Sequence, residues 1–583
     1  MPRLRELQKA TTLHDLAAIL NYSPTTLAFL IYKKSNKYKS FQIPKKNGSP
    51  REISAPCVEL KALQRKVKDL LDECLESIEK KRSPLGSLSH GFKTGHSIIT
   101  NADPHKKRLY VFNVDIKAFF DSIHMGRIRG FLTNNKDFNL NTKVATILAQ
   151  IICHDNKLPQ GSPTSPVASN LIGHLIDIRM VQLAKKSGCT YSRYADDITF
   201  STNKTEFPEE IAYRLDNTHI WVPGSALLKI IQKSGFGLNH EKTRMQYARA
   251  QQTVTGLVVN KTTNTPAEFR QKVRAMTHKL FLDGHYYIKE DATQKNREKI
   301  ELDHSKLNKL EGMYSYIYML NRFNHQKIVR NSDHRNEDFP LSALERLHGD
   351  FLFYKNFYAS PAPTIICEGK TDNIYLTCAI KSLHKEFPRL AKIDPRGNIK
   401  LGVRFINYSE LTHRVMGLSG GSADLGHLIR RYAKQCGLYK AHPPLHPTII
   451  VVDNDSGSQS IFQAIKDITG GRYSIPKGKG TILDKSQTLY KVAQNLYVVL
   501  TPLLNGEDSM MENFFPQAVL QTLYKGKPFE VVCPKGAKGA TYSKHQFSQH
   551  IVKQRQKLID FSLFTPILQS INLTIQDYPK IKI

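Results

Sequence analysis

Asp196 and Asp197 stand side by side in YSRYADDITFST, a strand-like run, a tight acidic turn and a second strand-like run. Adjacent carboxylates repel, so packing them without a counter-charge is unfavourable. A third carboxylate, Asp115, lies at the end of the apolar run RLYVFNVDIKAFF. Mg2+ takes oxygen ligands and bridges carboxylates to substrate phosphates. Two such ions, about 3.5–4 Å apart, activate an attacking hydroxyl and neutralise a leaving pyrophosphate. The three aspartates therefore suit nucleotidyl transfer. An isolated Asp-Asp turn is usually only solvated, so this reading depends on the motifs around it.

A second acidic set lies further on. TIICEGKTD carries a β-rich run into Glu368, followed by Gly369 and Lys370, and TIIVVDNDSGS carries another into Asp453 and Asp455. Residues two apart on an extended chain point the same way, so both aspartates reach one metal. In an open α/β sheet, sites form at the carboxyl ends of strands. The glycine-rich loop with Lys-Ser/Thr that would make E-G-K a phosphate loop is absent.

These carboxylates need elements to hold them. Residues 108–260 alternate apolar runs with turn signals, as a mixed sheet-and-helix region does. Ahead of them, two strand-like pieces flank the turn KKNGSP, and apolar steps of three and four predict a helix over 61–82. AEFRQKVRAMTHKLFLDG reads as a basic helix. KEDATQKNREKIELDHSKLNKLEG reads as a solvated charged stretch, NHQKIVRNSDHRNEDFP as polar chain, and YASPAPT as a linker with few packed contacts. The domain boundary is expected near 360. Beyond it, TIIC, TIIVV and YVVLT, separated by helical segments, predict a parallel α/β sheet.

With 583 residues and a net charge of +33, spread over both halves, the chain is a multidomain partner for a polyanion, most simply nucleic acid. The start lacks a signal-peptide pattern, no long apolar run predicts a membrane span, and the eight cysteines form no C-x-x-C pair. A cytoplasmic protein with free thiols is expected.

Five strings resemble the reverse transcriptase palm in that family's order: NVDIKAFF, LPQGSPTSP, YADD, LNHEKT and VTGLVVN. The resemblance covers about residues 35–350. It implies a right-hand-like α+β enzyme of fingers, palm and thumb, with Mg2+ held by Asp115, Asp196, Asp197 and the backbone carbonyl of Ile116. Arg51, with Lys45 and Lys46 beside it, would clamp the triphosphate, and a guanidinium does this bidentately. Phe120 would lie under the sugar and select dNTPs; the alternative is a core position beside Phe119. Gln160 would bond the incoming nucleotide. Lys242 would protonate the leaving pyrophosphate, unless it is a surface lysine.

Asn101-Ala102-Asp103-Pro104-His105 and Val254-Thr255-Gly256 are similar to signatures of the retron reverse transcriptases. By that resemblance Asn101, His105, Val254, Thr255 and Gly256 recognise the enzyme's own structured non-coding RNA. Arg270 and Arg274, with His278 and Lys279, would lie along the template–primer duplex. Synthesis would start from a guanosine 2′-hydroxyl and yield a branched RNA–DNA hybrid (msDNA). The rival is an intron-type maturase, many of which carry a paired-cysteine zinc tail that this chain lacks.

Glu368, Asp453 and Asp455 resemble the acidic residues of a TOPRIM domain, an α/β fold with a mainly parallel sheet. Glu512 would complete a Mg2+ or Mn2+ site, with Glu507 and Asp508 as competitors and Lys544 as a weaker candidate. The implied organisation is fingers and palm over 1–262, thumb and connection over 263–355, and a TOPRIM nuclease-like effector over 356–583. Such a fusion implies anti-phage defence, with a nucleic-acid target for the nuclease and oligomerisation open. The alternative is a silent TOPRIM scaffold that only holds the hybrid.

Overall fold

Tyr110–Lys117, the run carrying Asp115, is an inner strand of a four-stranded antiparallel sheet in this computed structural model. The order across the sheet is Thr190–Tyr194, Asp197–Thr202, Tyr110–Lys117, Gly237–Tyr247. The structure describes residues 2–45, 48–79, 88–216, 218–286, 304–331, 339–470, 473–475, 478–480, 485–531 and 541–578. The chain folds as two units, 1–267 with 320–332, and 268–319 with 333–583.

In the first unit, Phe112, Val114 and Ile116 of the inner strand are buried against the helices Met125–Asn134, Thr142–Ile152 and Ser165–Ser187. The expected helix over 61–82 is Val58–Glu79. The expected hairpin pairs Tyr38–Pro44 with Pro50–Pro56. Lys45 begins its turn, donating its N–H to the Ser49 carbonyl at 2.8 Å. Lys46 lies outside the described residues.

The second unit centres on a seven-stranded sheet. Four neighbouring strands run parallel: Arg404–Phe405, Thr364–Cys367, Thr448–Val452 and Leu496–Leu500. Successive side chains alternate between faces. Ile366, Ile450 and Val498 pack with the helices Ala343–Phe353, Ser422–Cys436 and Gln459–Thr469. Ile365, Ile449 and Val499 pack with Asp372–Ser382 and Thr565–Asp577 on the other face. Burial on both faces explains why these strands read as unbroken apolar runs.

Three expectations fail here. The charged and polar stretches over the low 300s and 320s include one helix, His304–Asn331. Leu307, Leu310, Tyr314 and Ile317 line its buried side, a stripe diluted by the charges between them. YASPAPT is no open linker: Tyr358, Ala359 and Ser360 are buried, and Thr364 Oγ1 donates to Ser360 Oγ at 2.9 Å. Finally, the expected boundary at 355/356 falls inside the second unit. Phe281, Phe353, Tyr354, Tyr358 and Tyr439 share one aromatic cluster there.

Among the described residues no helix is long and apolar enough to cross a membrane. The seven described cysteines are free.

Candidate active sites

Asp115 and Asp197 are direct register partners on adjacent antiparallel strands, so backbone pairing alone sets their carboxylates side by side. Ala195 and Asp196 form the turn between Tyr194 and Asp197. Ala195 takes φ +56, the left-handed conformation that tight hairpin turns demand. Asp196 is anchored through its carbonyl, which accepts the Ile116 N–H at 3.0 Å. That leaves the Ile116 side chain buried in the sheet core.

The site is short of positive charge. Burial, with the Asp115 charge behind it, raises the pKa of Asp196. Burial and then Asp196 push Asp197 up to about 6. Lys242 donates to Asp115 Oδ2 at 2.9 Å, and Arg51 acts electrostatically on Asp196. Among the described residues no three His, Cys, Asp or Glu side chains are drawn together as a metal shell. The donor chemistry nevertheless fits divalent cations, because three carboxylates repel one another around partial compensation.

The residues expected to meet the nucleotide lie on the hairpin, in the LPQGSP loop and just after the strand of Asp115. Arg51 is exposed on the hairpin strand, opposite Ile43. The Gln160 carbonyl accepts the Ser54 N–H at 2.8 Å, joining the LPQGSP loop to that strand. A Cβ on Gly161 would stand 2.9 Å from the Ser54 carbonyl oxygen, so only glycine permits this approach. Phe120 is partly buried, edge-on to Phe92 at 6.2 Å.

The expected RNA contacts at Asn101 and His105 are corrected. Both side chains have 0% exposure, so neither reaches an external RNA. His105 shares hydrogen bonds with Ser201 Oγ (2.7 Å) and Ser192 Oγ (2.8 Å), and burial lowers its pKa to about 3, holding it neutral. Val254 is buried as well. Thr255 and Gly256, at φ +47 and +80, turn a two-residue hairpin. Thr255 Oγ1 donates to the Ile98 carbonyl at 3.2 Å, so the second string is tied to the start of the helix Ile98–Ala102 that leads into the first. Gly256 is exposed and Thr255 half-buried. Asp103, between Asn101 and His105, pairs with Lys106 and with Lys327.

Residues 43–270 match the family model described as "Reverse transcriptase (RNA-dependent DNA polymerase)". The chain is 31% identical over 341 residues to the Retron Mx65 reverse transcriptase of Myxococcus xanthus, spanning 55% of this chain and 70% of that one. This chain belongs to the retron reverse transcriptases. Identity to the Retron Mx162 reverse transcriptase of the same organism is 31%, over 54% of this chain and 65% of that one. For the Retron Ec86 enzyme of Escherichia coli it is 29%, over 60% and 94%. Reverse transcriptases as a family use divalent metal ions.

Sequence reasoning missed how this retron reverse transcriptase supports its acidic turn. Arg193, fully buried, bonds Asp177 through Nε (2.7 Å) and Nη2 (2.8 Å) and donates from Nη1 to the Ala195 carbonyl at 2.9 Å. Tyr191 adds a hydroxyl bond to Asp177 at 2.7 Å. The only signal was an arginine immediately before YADD.

In the second unit of this retron reverse transcriptase, Glu368 directly follows one parallel strand and Asp453 directly follows its neighbour. Burial, then Asp455 and Asp372, raises Glu368. Its Oε2 is buried without a hydrogen-bond partner among the described residues. Burial, then Asp372 and Glu512, lifts Asp453 to about 8, against a bond to its Oδ1 from the Met511 N–H at 2.9 Å. Asp455 Oδ1 caps the following turn, accepting the Gly457 N–H at 2.9 Å. Glu512 is 1% exposed and receives the Lys544 ammonium at 3.0 Å. Asp508 pairs instead with Lys485 at 2.6 Å, and Glu507 closes a local turn with Leu504, so Glu512 is the residue joined electrostatically to Asp453. Asp372, at the start of the helix Asp372–Ser382, is a fifth acid in this cluster. Burial raises it, although its Oδ2 accepts the Gly369 N–H at 2.7 Å.

Arg270 and Arg274 fall on Ala267–Asp283, within the second unit. That helix buries Val273, Met276 and Leu280 in the unit's core, leaving Arg274, His278 and Lys279 exposed.

Proposed function

We propose that this enzyme copies its own structured non-coding RNA into a branched RNA–DNA hybrid, starting from a guanosine 2′-hydroxyl. The observation supporting polymerase chemistry best is the facing of Asp115 and Asp197 across paired strands, with Asp196 in the turn beside them. These three would hold Mg2+, which supplies charge neutralisation at the reacting phosphate. Arg51 binds triphosphate oxygens, Lys242 stands ready to give a proton to the leaving pyrophosphate, and Phe120 lies under the sugar. Thr255, Gly256, Arg270 and Arg274 are the exposed or half-exposed members of the RNA-binding set.

The second unit is read as a TOPRIM nuclease-like effector. Its support is the placing of Glu368 and Asp453 at the carboxyl ends of adjacent parallel strands, where open α/β sheets build their sites. Glu368, Asp453, Asp455 and Glu512 would hold Mg2+ or Mn2+. In this reading the hybrid restrains the nuclease until phage infection.

Asp196→Asn tests the polymerase assignment. Primer extension should be abolished, because transition-state charge neutralisation is lost, while an RNA gel shift stays near wild type. Extension at the wild-type rate would remove the palm assignment.

A further inference from the structure

The second unit carries a cationic face unrelated to its acidic cluster. Ala391–Ile393 and Ile399–Leu401 form a separate two-stranded antiparallel ribbon. One side meets the core in part: Ala391 is buried and Ile399 and Leu401 pack partly against it, while Ile393 is exposed. The other side presents Lys392 directly opposite Lys400, both exposed. Such opposed like charges, about 5.5 Å apart between Cα atoms, are destabilising in a ribbon. Little nearby relieves them. Among the described residues no carboxylate forms an ion pair with Lys385, Arg389, Lys392, Arg396 or Lys400. Asp394 feels the charge of Lys400 but is spent on the turn, where its Oδ1 accepts the N–H groups of Arg396 and Asn398, each at 2.9 Å.

The ribbon is also placed away from the acidic cluster. It leads into Arg404, which pairs with Thr364 at the start of its strand, whereas Glu368 follows that strand's other end. Exposed Lys385 and Arg389 precede the ribbon and Arg396 sits in its turn, so five cations, against Glu386 and Asp394, lie along one stretch of chain. A polyanion would turn this repulsion into binding energy by counterion release.

We propose that the outer face of this ribbon, Lys392, Arg396 and Lys400 with Lys385 and Arg389, is a binding surface for the phosphate backbone of duplex nucleic acid. It reads no bases. It holds a duplex on the second unit at a place other than the acidic cluster, and it does so whether or not that cluster cleaves.

The test uses the full chain and the variant Lys392→Gln/Arg396→Gln/Lys400→Gln. Binding of a fluorescent 30-base-pair DNA duplex is followed by anisotropy across salt concentrations. Each lost phosphate contact lowers the slope of log affinity against log salt by about 0.9, so three lower it by about 2.7. The affinity lost between 50 and 200 mM salt then shrinks roughly 40-fold. Extension of a primed template should be unchanged. An unaltered slope overturns the proposal. Should the variant not fold, the wild type is acetylated with and without duplex and its lysines are mapped by mass spectrometry. Protection of Lys392 and Lys400 supports the surface. Equal labelling, or protection by polyglutamate but not by duplex, overturns it.

Discussion

Arg193 grips both carboxylate oxygens of Asp177, at 2.7 and 2.8 Å, while its remaining nitrogen holds the carbonyl of Ala195. The pair ties the long helix Ser165–Ser187 to the turn that presents Asp196. A non-glycine residue in the left-handed region costs on the order of 1–3 kcal/mol, and Ala195 is such a residue. The buried guanidinium is what over-determines that conformation. Gly173 makes room for it: a Cβ there would lie 2.5 Å from Arg193 Nη2.

Asp177→Asn should therefore destabilise the protein by about 3–5 kcal/mol, the usual result of stranding one buried charge. Gly173→Ala should cost about 1–3 kcal/mol by overpacking and should slow DNA synthesis by shifting Arg193. Denaturant melts and primer extension on both variants check this. A wild-type melt for Asp177→Asn would mean that the pair is dispensable.

Phe120 is partly buried and packs on Phe92 and Phe119, so a residual exposed face is free to meet a sugar. Phe120→Ala should raise ribonucleotide incorporation relative to deoxynucleotide, with a modest loss of stability. Competition assays with mixed nucleotides measure the ratio. If the ratio holds while the melting temperature falls, the ring serves only the core.

Asp453 gives a pH prediction. Its folded pKa of about 8 lies above the ordinary carboxylate value, so between the two the folded state keeps a proton that the unfolded chain has released. Stability through this group is present at low pH and declines as pH rises toward 8. Asp453→Asn cannot titrate. In EDTA, its melting temperature relative to wild type should climb from pH 5 to pH 8.5. A constant difference would show that Asp453 titrates normally.

Much of this architecture is legible in the chain because motif residues and strand ends coincide. NVDIKAFF and YADD lay out Asp115 on a strand and the Asp196–Asp197 pair at a turn, since a period-two strand and a two-residue turn leave little freedom. TIIC and TIIVV likewise deliver Glu368 and Asp453 to strand ends. Two kinds of feature stay hidden. Arg193 and Asp177, 16 residues apart, belong to a strand and a helix, and a charge in either reads as surface until packing buries both. His304–Asn331 carries its apolar stripe among many charges, so composition conceals a helix that tertiary contacts stabilise. Asn101 and His105 lie in the interior, which polarity alone does not reveal.

The last prediction separates the two chemistries. No loose linker divides the chain near residue 360, and the helices Ala267–Asp283 and His304–Asn331 both place residues in the second unit's core. A variant must therefore leave that core intact. Glu368→Gln does so: it is nearly isosteric, and Oε2 has no hydrogen-bond partner to lose among the described residues. Removing one of five neighbouring acids also relieves repulsion, so folding should not suffer. The variant should produce the branched RNA–DNA hybrid at wild-type yield on a denaturing gel. It should lose metal-dependent cleavage of nucleic acid and any phage protection scored by plaque counts in the same cells. Full protection at normal hybrid yield would rule out the effector nuclease and leave the second unit as a scaffold for the hybrid.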